Sequence, residues 1–204
     1  MSIVSIPTAD LPVGQVKTYA AGWWAMISGI LTEAALFAYL LFGYFYFTVQ
    51  PHGSPWPAEM PTFKLALPNT IILLISSGAV WLGERGAHDG DRAKQIGGLG
   101  SAFVLGTIFV TVQVFEWKSK SFAMNSSAYG SLFYVITGFH MAHVILGLII
   151  LLPLTIWSAI GYFGPRRNSP VSIGAIYWHF VDAVWLVVFF SLYVTPYLGL
   201  RHAG

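Results

Sequence analysis

Five long apolar runs, separated by short polar stretches, dominate the pattern of this chain. A helix needs about 20 mostly apolar residues to cross the hydrocarbon core of a bilayer. The runs at about 22–49, 65–82, 96–117, 130–162 and 173–198 meet that requirement, so five membrane-spanning helices are predicted. The first and fourth runs exceed the bilayer thickness, which predicts tilt or extension into the interface. Pro68 falls in the first turn of the second run, where proline breaks no helical hydrogen bond. A proline-rich loop with Pro51, Pro55, Pro57 and Pro61 follows the first run, and a polar loop over 83–95 follows the second. No repeat or long linker divides the chain, so residues 1–204 read as a single membrane domain, an all-α bundle.

The loops on alternate sides differ in basic residues. One side carries Lys17, Arg85, Arg92, Lys94, Arg166 and Arg167; the other carries Lys64, Lys118, Lys120 and Arg201. The richer side is expected to be cytoplasmic, which sets the N-terminus inside and the C-terminus outside. Small residues within the runs, at Ala25 and Gly29, Ala34 and Ala38, and Gly97, Gly98 and Gly100, predict close helix packing. Residues 1–21 have no apolar stretch behind a basic start, so no cleavable leader is expected.

Composition narrows the function. Hydrophobic residues make up 56% of the chain and charged residues 9%, against about 25% charged in a soluble domain; mean hydropathy is +0.68. The chain has no cysteine, which excludes thiolate catalysis and thiolate-bound metals. A net charge of +2 gives no reason to expect a nucleic acid partner.

Ionisable groups inside a span cost about 2.5–3.5 kcal/mol at mid-helix, so each requires a reason. Glu33 lies near the middle of the first run among apolar neighbours. It reads either as a proton-responsive, modulatory group or as a carboxyl bonded to another helix, and both readings turn it away from lipid. His140 and His143 are three apart and share a helical face. The chain's six histidines, of which three lie in spans, are too few for a membrane di-iron site. The pair therefore reads better as interhelical hydrogen bonding than as a metal site. His179 and Asp182 stand in the same relation and read as a buried pair, with Trp178 and Trp185 flanking them. Gln113 and Glu116 stand near the end of the third run, where Glu116, beside Trp117 and Lys118, reads as solvated. None of these residues forms a set with a nucleophile.

Five passages, in order, carry a family resemblance. They are Leu31-Thr32-Glu33 with aromatics to Phe47; Ser54-Pro55-Trp56-Pro57 with Leu67-Pro68-Asn69-Thr70; Gln113-Val114-Phe115-Glu116-Trp117; Thr137-Gly138-Phe139-His140 with His143; and Tyr177-Trp178-His179-Phe180-Val181-Asp182. Through them the chain resembles subunit III of cytochrome c oxidase and related haem–copper terminal oxidases, in the short five-helix bacterial form. The match spans roughly residues 23–193.

The resemblance implies a non-catalytic subunit of a proton-pumping oxidase that reduces oxygen to water, with cytochrome c as donor. The chain itself would hold no catalytic residue, redox centre or metal. The haems and copper would sit in partner subunits, chiefly the catalytic subunit I, with subunit II beside it. It implies structural phospholipid, support of proton uptake and of catalytic-subunit stability, and a multi-pass place in the bacterial inner membrane. Glu33 matches the family's intramembrane glutamate; His140, His143, His179 and Asp182 match its signature polar positions. Ser172 stands where a glutamate is common, so Arg166, Arg167 and Trp178 are the expected lipid-headgroup contacts. Two other readings remain: an accessory subunit of a quinol oxidase or nitric oxide reductase of the same superfamily, and a small proton-coupled transporter.

Overall fold

The structure is a computed structural model that describes residues 21–50, 56–165 and 167–199. Its elements are α1 (Ala21–Val49), α2 (Phe63–Asp89), α3 (Arg92–Ser119), α4 (Ala128–Ala159) and α5 (Ser169–Phe189). A π turn over Phe190–Val194 and a 3₁₀ turn over Thr195–Leu198 follow α5. Among the described residues five helices are long and apolar enough to cross a membrane, the fifth including those two turns. The leader expectation and Lys17, Pro51, Ser54, Pro55, Arg166 and Arg201 lie outside the described residues.

Two boundaries differ from expectation for physical reasons. The polar stretch 83–95 is not a loop: α2 runs on to Asp89 and α3 starts at Arg92. Hydropathy falls where a helix leaves hydrocarbon, but backbone hydrogen bonding continues until a stop signal arrives. Here the stop is Gly90, with a left-handed φ of 76°, followed by Asp91, whose side chain accepts a hydrogen bond from the Lys94 amide. At the other end of the bundle the fifth span loses regular α geometry after Phe189. Pro196 offers no amide hydrogen with which to continue the ladder.

Small residues set the closest approaches. A Cβ added at Gly98 would lie 2.4 Å from the Gly83 nitrogen, and one at Gly86 would lie 2.5 Å from the Gln95 nitrogen. The α2–α3 hairpin therefore packs backbone against backbone. Gly97, in contrast, has nothing within 4 Å of its Cβ position. A second contact of this kind surrounds a tryptophan: a Cβ at Gly106 of α3 would meet Trp178 at 2.5 Å, and one at Gly147 of α4 at 2.8 Å. The indole fills a slot that these two glycines leave open.

Helix α1 is peripheral. It packs on α4 and α5, and between α1 and α5 runs an apolar groove of about 300 Å³ lined by Ala34, Phe37, Ala38 and Ala183 among others. The core lies between α2, α3, α4 and α5, centred on Leu73, Phe109, Val144, Trp178 and Trp185.

Candidate functional site

Polar side chains join the helices of this bundle along their length, and the site is best described helix pair by helix pair. Between α2 and α5 there are two rungs. Trp178 Nε1 donates to Ser76 Oγ over 3.1 Å, and Trp185 Nε1 donates to Thr70 Oγ1 over 2.9 Å. Each hydroxyl spends its own hydrogen on a carbonyl of α2, Ser76 on Leu73 and Thr70 on Ala66, leaving lone pairs for the indoles. Trp178 is buried, which removes it from any lipid headgroup and corrects the expectation placed on it.

A neighbouring group on the same two helices brings His179 together with Ser77. His179 Nδ1 lies 2.6 Å from Ser77 Oγ, and the Ser77 hydroxyl also faces the buried Asp182. His179 and Asp182 do share a face, but their connection runs through Ser77 on α2 and is not a direct hydrogen bond. The serine could not be singled out from spacing on α5 alone.

His140 and His143 leave α4 in different directions. His140 enters the core, where Nε2 donates to the Val181 carbonyl of α5 over 3.2 Å. Its ring lies 4.7 Å from Trp185 and 5.8 Å from Phe109. His143 turns toward α1, and its Nε2 lies 3.1 Å from Glu33 Oε2. Its Nδ1 lies 2.7 Å from the Phe139 carbonyl oxygen. Phe37 of α1 stands edge-on to the His143 ring at 5.1 Å. The pair is thus a pair of interhelical ties and not a shared ligand set. Among the described residues no group of three or more His, Asp or Glu is placed to hold a metal ion.

Glu33 is not enclosed by the bundle. Its side chain is 41% exposed and opens into a groove of about 400 Å³ whose other lining includes Ala25, Met26, Ile30, Leu146 and Tyr177. The helical spacing that put it on an apolar run could not show this, because α1 is covered on one side only.

Glu116 also departs from expectation. It is buried, accepts a hydrogen bond of 2.6 Å from the Tyr193 hydroxyl, and lies 3.4 Å from Lys120 Nζ. The ammonium group lies over the rings of Phe133 (5.4 Å) and Tyr193 (5.7 Å). Gln113, one turn earlier, is buried beside this group. Lys120 is four residues after Glu116, the spacing at which a helical ion pair forms, and that was the available signal.

Further polar ties complete the frame. Gln95 Nε2 donates to Ser158 Oγ (2.7 Å), Asn69 Nδ2 to the Phe109 carbonyl (3.2 Å) and Trp117 Nε1 to Thr137 Oγ1 (3.2 Å). At the end of the bundle that carries Gly90, His88 joins α2 to α5 through Asn168 (2.9 Å) and Ser172 (3.3 Å). Arg167 is exposed there, its guanidinium 4.9 Å above the Tyr162 ring.

A family model described as cytochrome c oxidase subunit III matches residues 16–197. Among curated relatives, the chain is 35% identical over 174 residues to cytochrome c oxidase subunit 3 of Artemia franciscana, covering 83% of this chain and 67% of that protein. It is 32% identical over 177 residues to the protein of the same name from Drosophila yakuba and 34% to that of Gallus gallus, each alignment covering 83% of this chain and 68% of the relative.

Proposed function

Since the chain belongs to the cytochrome c oxidase subunit III family, we propose that it acts as a non-catalytic subunit of a proton-pumping terminal oxidase that takes electrons from cytochrome c. In this reading the haems and copper reside in partner subunits, with the catalytic subunit as its main neighbour and a second subunit beside it. The chain braces that neighbour and supports proton uptake. The observation that carries the proposal is the Glu33–His143 contact at mid-depth in a groove open to the outside of the bundle. A carboxyl that served packing alone would be enclosed between helices, whereas this one is tethered from one side and accessible from the other.

The other signature residues have the character of a brace. His140, His179 and the two tryptophans each join different helices. The phospholipid reading draws on the apolar groove between α1 and α5 and on the exposed Arg167 near the end of α4. The charge count supports the end carrying Gly90, Arg92 and Arg167 as the cytoplasmic one, in a bacterial inner membrane.

The test is purification of the complex through this chain, with a haem and copper inventory, followed by Glu33→Gln. The expected result is an unaltered haem spectrum together with slower proton uptake or faster inactivation during sustained turnover. Loss of haem, or turnover, inactivation and pumping all unchanged, would refute the reading.

A further inference from the structure

The outward surface of the bundle is apolar over most of its extent, as exposed Leu67 and Ile71 of α2, Val104 and Ile108 of α3, and Ile145 and Ile149 of α4 show. The seam between α2 and α5 departs from this. His88 of α2 meets Asn168 (2.9 Å) and Ser172 (3.3 Å), and His179 of α5 lies 2.6 Å from Ser77 of α2. Glu84 and His88 follow Ser77 by seven and eleven residues, so all three share one face of α2. Ser172 and His179, seven apart, share one face of α5. A groove of about 370 Å³ opens at the His88 end of the seam, with Glu84, Ser172 and Ile176 among its walls.

This polar stripe runs deep. Ser77 stands fourteen residues from Phe63 and twelve from Asp89, the ends of α2. The nearer end is therefore about 18 Å away, against a hydrocarbon core about 30 Å thick. A lipid headgroup stays at the bilayer surface, so it could cover the His88 end of the stripe but not the His179 end. His179 is half-buried, and Ser77 occupies its Nδ1. Its Nε2 has no hydrogen-bond partner among the described residues and is not enclosed, so it reaches the outside of the bundle. Against acyl chains that nitrogen would stay unpaired, because hydrocarbon offers neither donor nor acceptor. Beside Ser77, a Cβ added at Gly78 would have nothing within 4 Å, which leaves room for a neighbouring helix to approach closely.

We propose that the α2–α5 seam from His88 to His179 is the surface on which the catalytic oxidase subunit docks, and that a transmembrane helix of that subunit brings a hydroxyl or carboxamide side chain to His179 Nε2. Either group can donate or accept, so it completes the imidazole whichever ring nitrogen carries the hydrogen. The identity of the partner rests on the reading of the chain as an oxidase subunit, while the need for a polar cover rests on the geometry of the seam.

The test is site-directed photo-crosslinking in the assembled complex. A diazirine amino acid replaces Leu74 or Leu186, exposed residues that share the faces of Ser77 and His179, or Val104 of α3 as the control. The expected result is a crosslink to the catalytic subunit from both seam positions and none from Val104. Crosslinks from the seam to lipid alone or to a second copy of this chain would overturn the proposal, as would capture of the catalytic subunit from Val104 only. A second comparison separates docking from the internal tie. Ser77→Ala removes the bond inside the chain and leaves Nε2 in place, whereas His179→Leu removes both. His179→Leu should lose this chain from the complex on detergent washing while Ser77→Ala retains it, and equal retention would overturn the role of Nε2. Should the probe block assembly at both seam positions, this comparison decides. The two readings fail separately: a complex purified through this chain without haem or copper removes the oxidase reading, whereas a haem-containing complex whose crosslinks avoid the seam removes the docking surface.

Discussion

Tyr193 gives its hydroxyl hydrogen to Glu116 over 2.6 Å, so the π turn after α5 is tied to the end of α3. The same carboxylate holds the buried Lys120 ammonium at 3.4 Å. A buried pair costs most when one member is removed alone, about 3–5 kcal/mol, because the survivor is left charged and unpaired. Glu116→Ala should therefore weaken retention of this chain in the complex more than the double variant Glu116→Leu/Lys120→Met. Thermal release of the chain from the detergent-solubilised complex measures both. Equal midpoints for the two variants would remove the ion pair as the cause.

The glycines around Trp178 allow a sharper contrast. Gly106→Ala and Gly147→Ala each place a methyl group within 3 Å of the indole, and an aromatic ring held in a packed core cannot yield by that much without shifting a helix. Each should lower the midpoint or block assembly. Gly29→Ala and Gly97→Ala meet nothing within 4 Å and should be neutral, or slightly favourable through helix propensity. If all four behave alike, the slot is not what these glycines provide.

The Trp185–Thr70 rung predicts a modest effect. Thr70→Val removes the acceptor and leaves the indole N–H buried without a partner, a cost of about 1–3 kcal/mol. Removing both groups with Thr70→Val/Trp185→Phe should recover part of that loss, though the smaller ring gives some of it back as a cavity. A double-mutant cycle on the thermal release of the chain reads the coupling directly.

Much of this arrangement was legible in the chain, and the exceptions share a cause. Five spans, the helical class and the polar positions at Glu33, His140, His143, His179 and Asp182 follow from hydropathy and spacing, which report what lies along one helix. What lies across from that helix is set by tertiary packing. The separation of His140 from His143 depends on α1 standing on one side of α4 and α5 on another, and no spacing rule contains that. Ser77 enters the site because it faces His179 from α2, a relation that spacing along α5 does not contain. Trp178 is an expected lipid-headgroup contact by resemblance, but two glycines on other helices make room for it inside. Glu116 looked solvated because the apolar run ends beside it, while the helix and its burial extend further.

The loop before α2 carries a pH-sensitive contact outside the spans. Glu59 Oε2 accepts from the Ser121 amide over 3.2 Å and from the Ser121 hydroxyl, joining the loop to the segment after α3. These bonds, chiefly the hydroxyl one, hold the Glu59 carboxyl below its usual range, with a smaller contribution from the Lys120 charge. A carboxyl depressed in the folded state adds stability above its unfolded value of about 4.3 and loses it as pH falls through the folded value. The loop should therefore stay anchored at neutral pH and loosen on acidification below the usual carboxylate range. Ser121→Ala should loosen it at neutral pH and flatten the acid response, and the effect should be small because the group is largely exposed. Hydrogen exchange over residues 56–62, corrected for intrinsic rates, reads this directly: equal protection in wild type and Ser121→Ala at neutral pH would show that Glu59 does not anchor the loop.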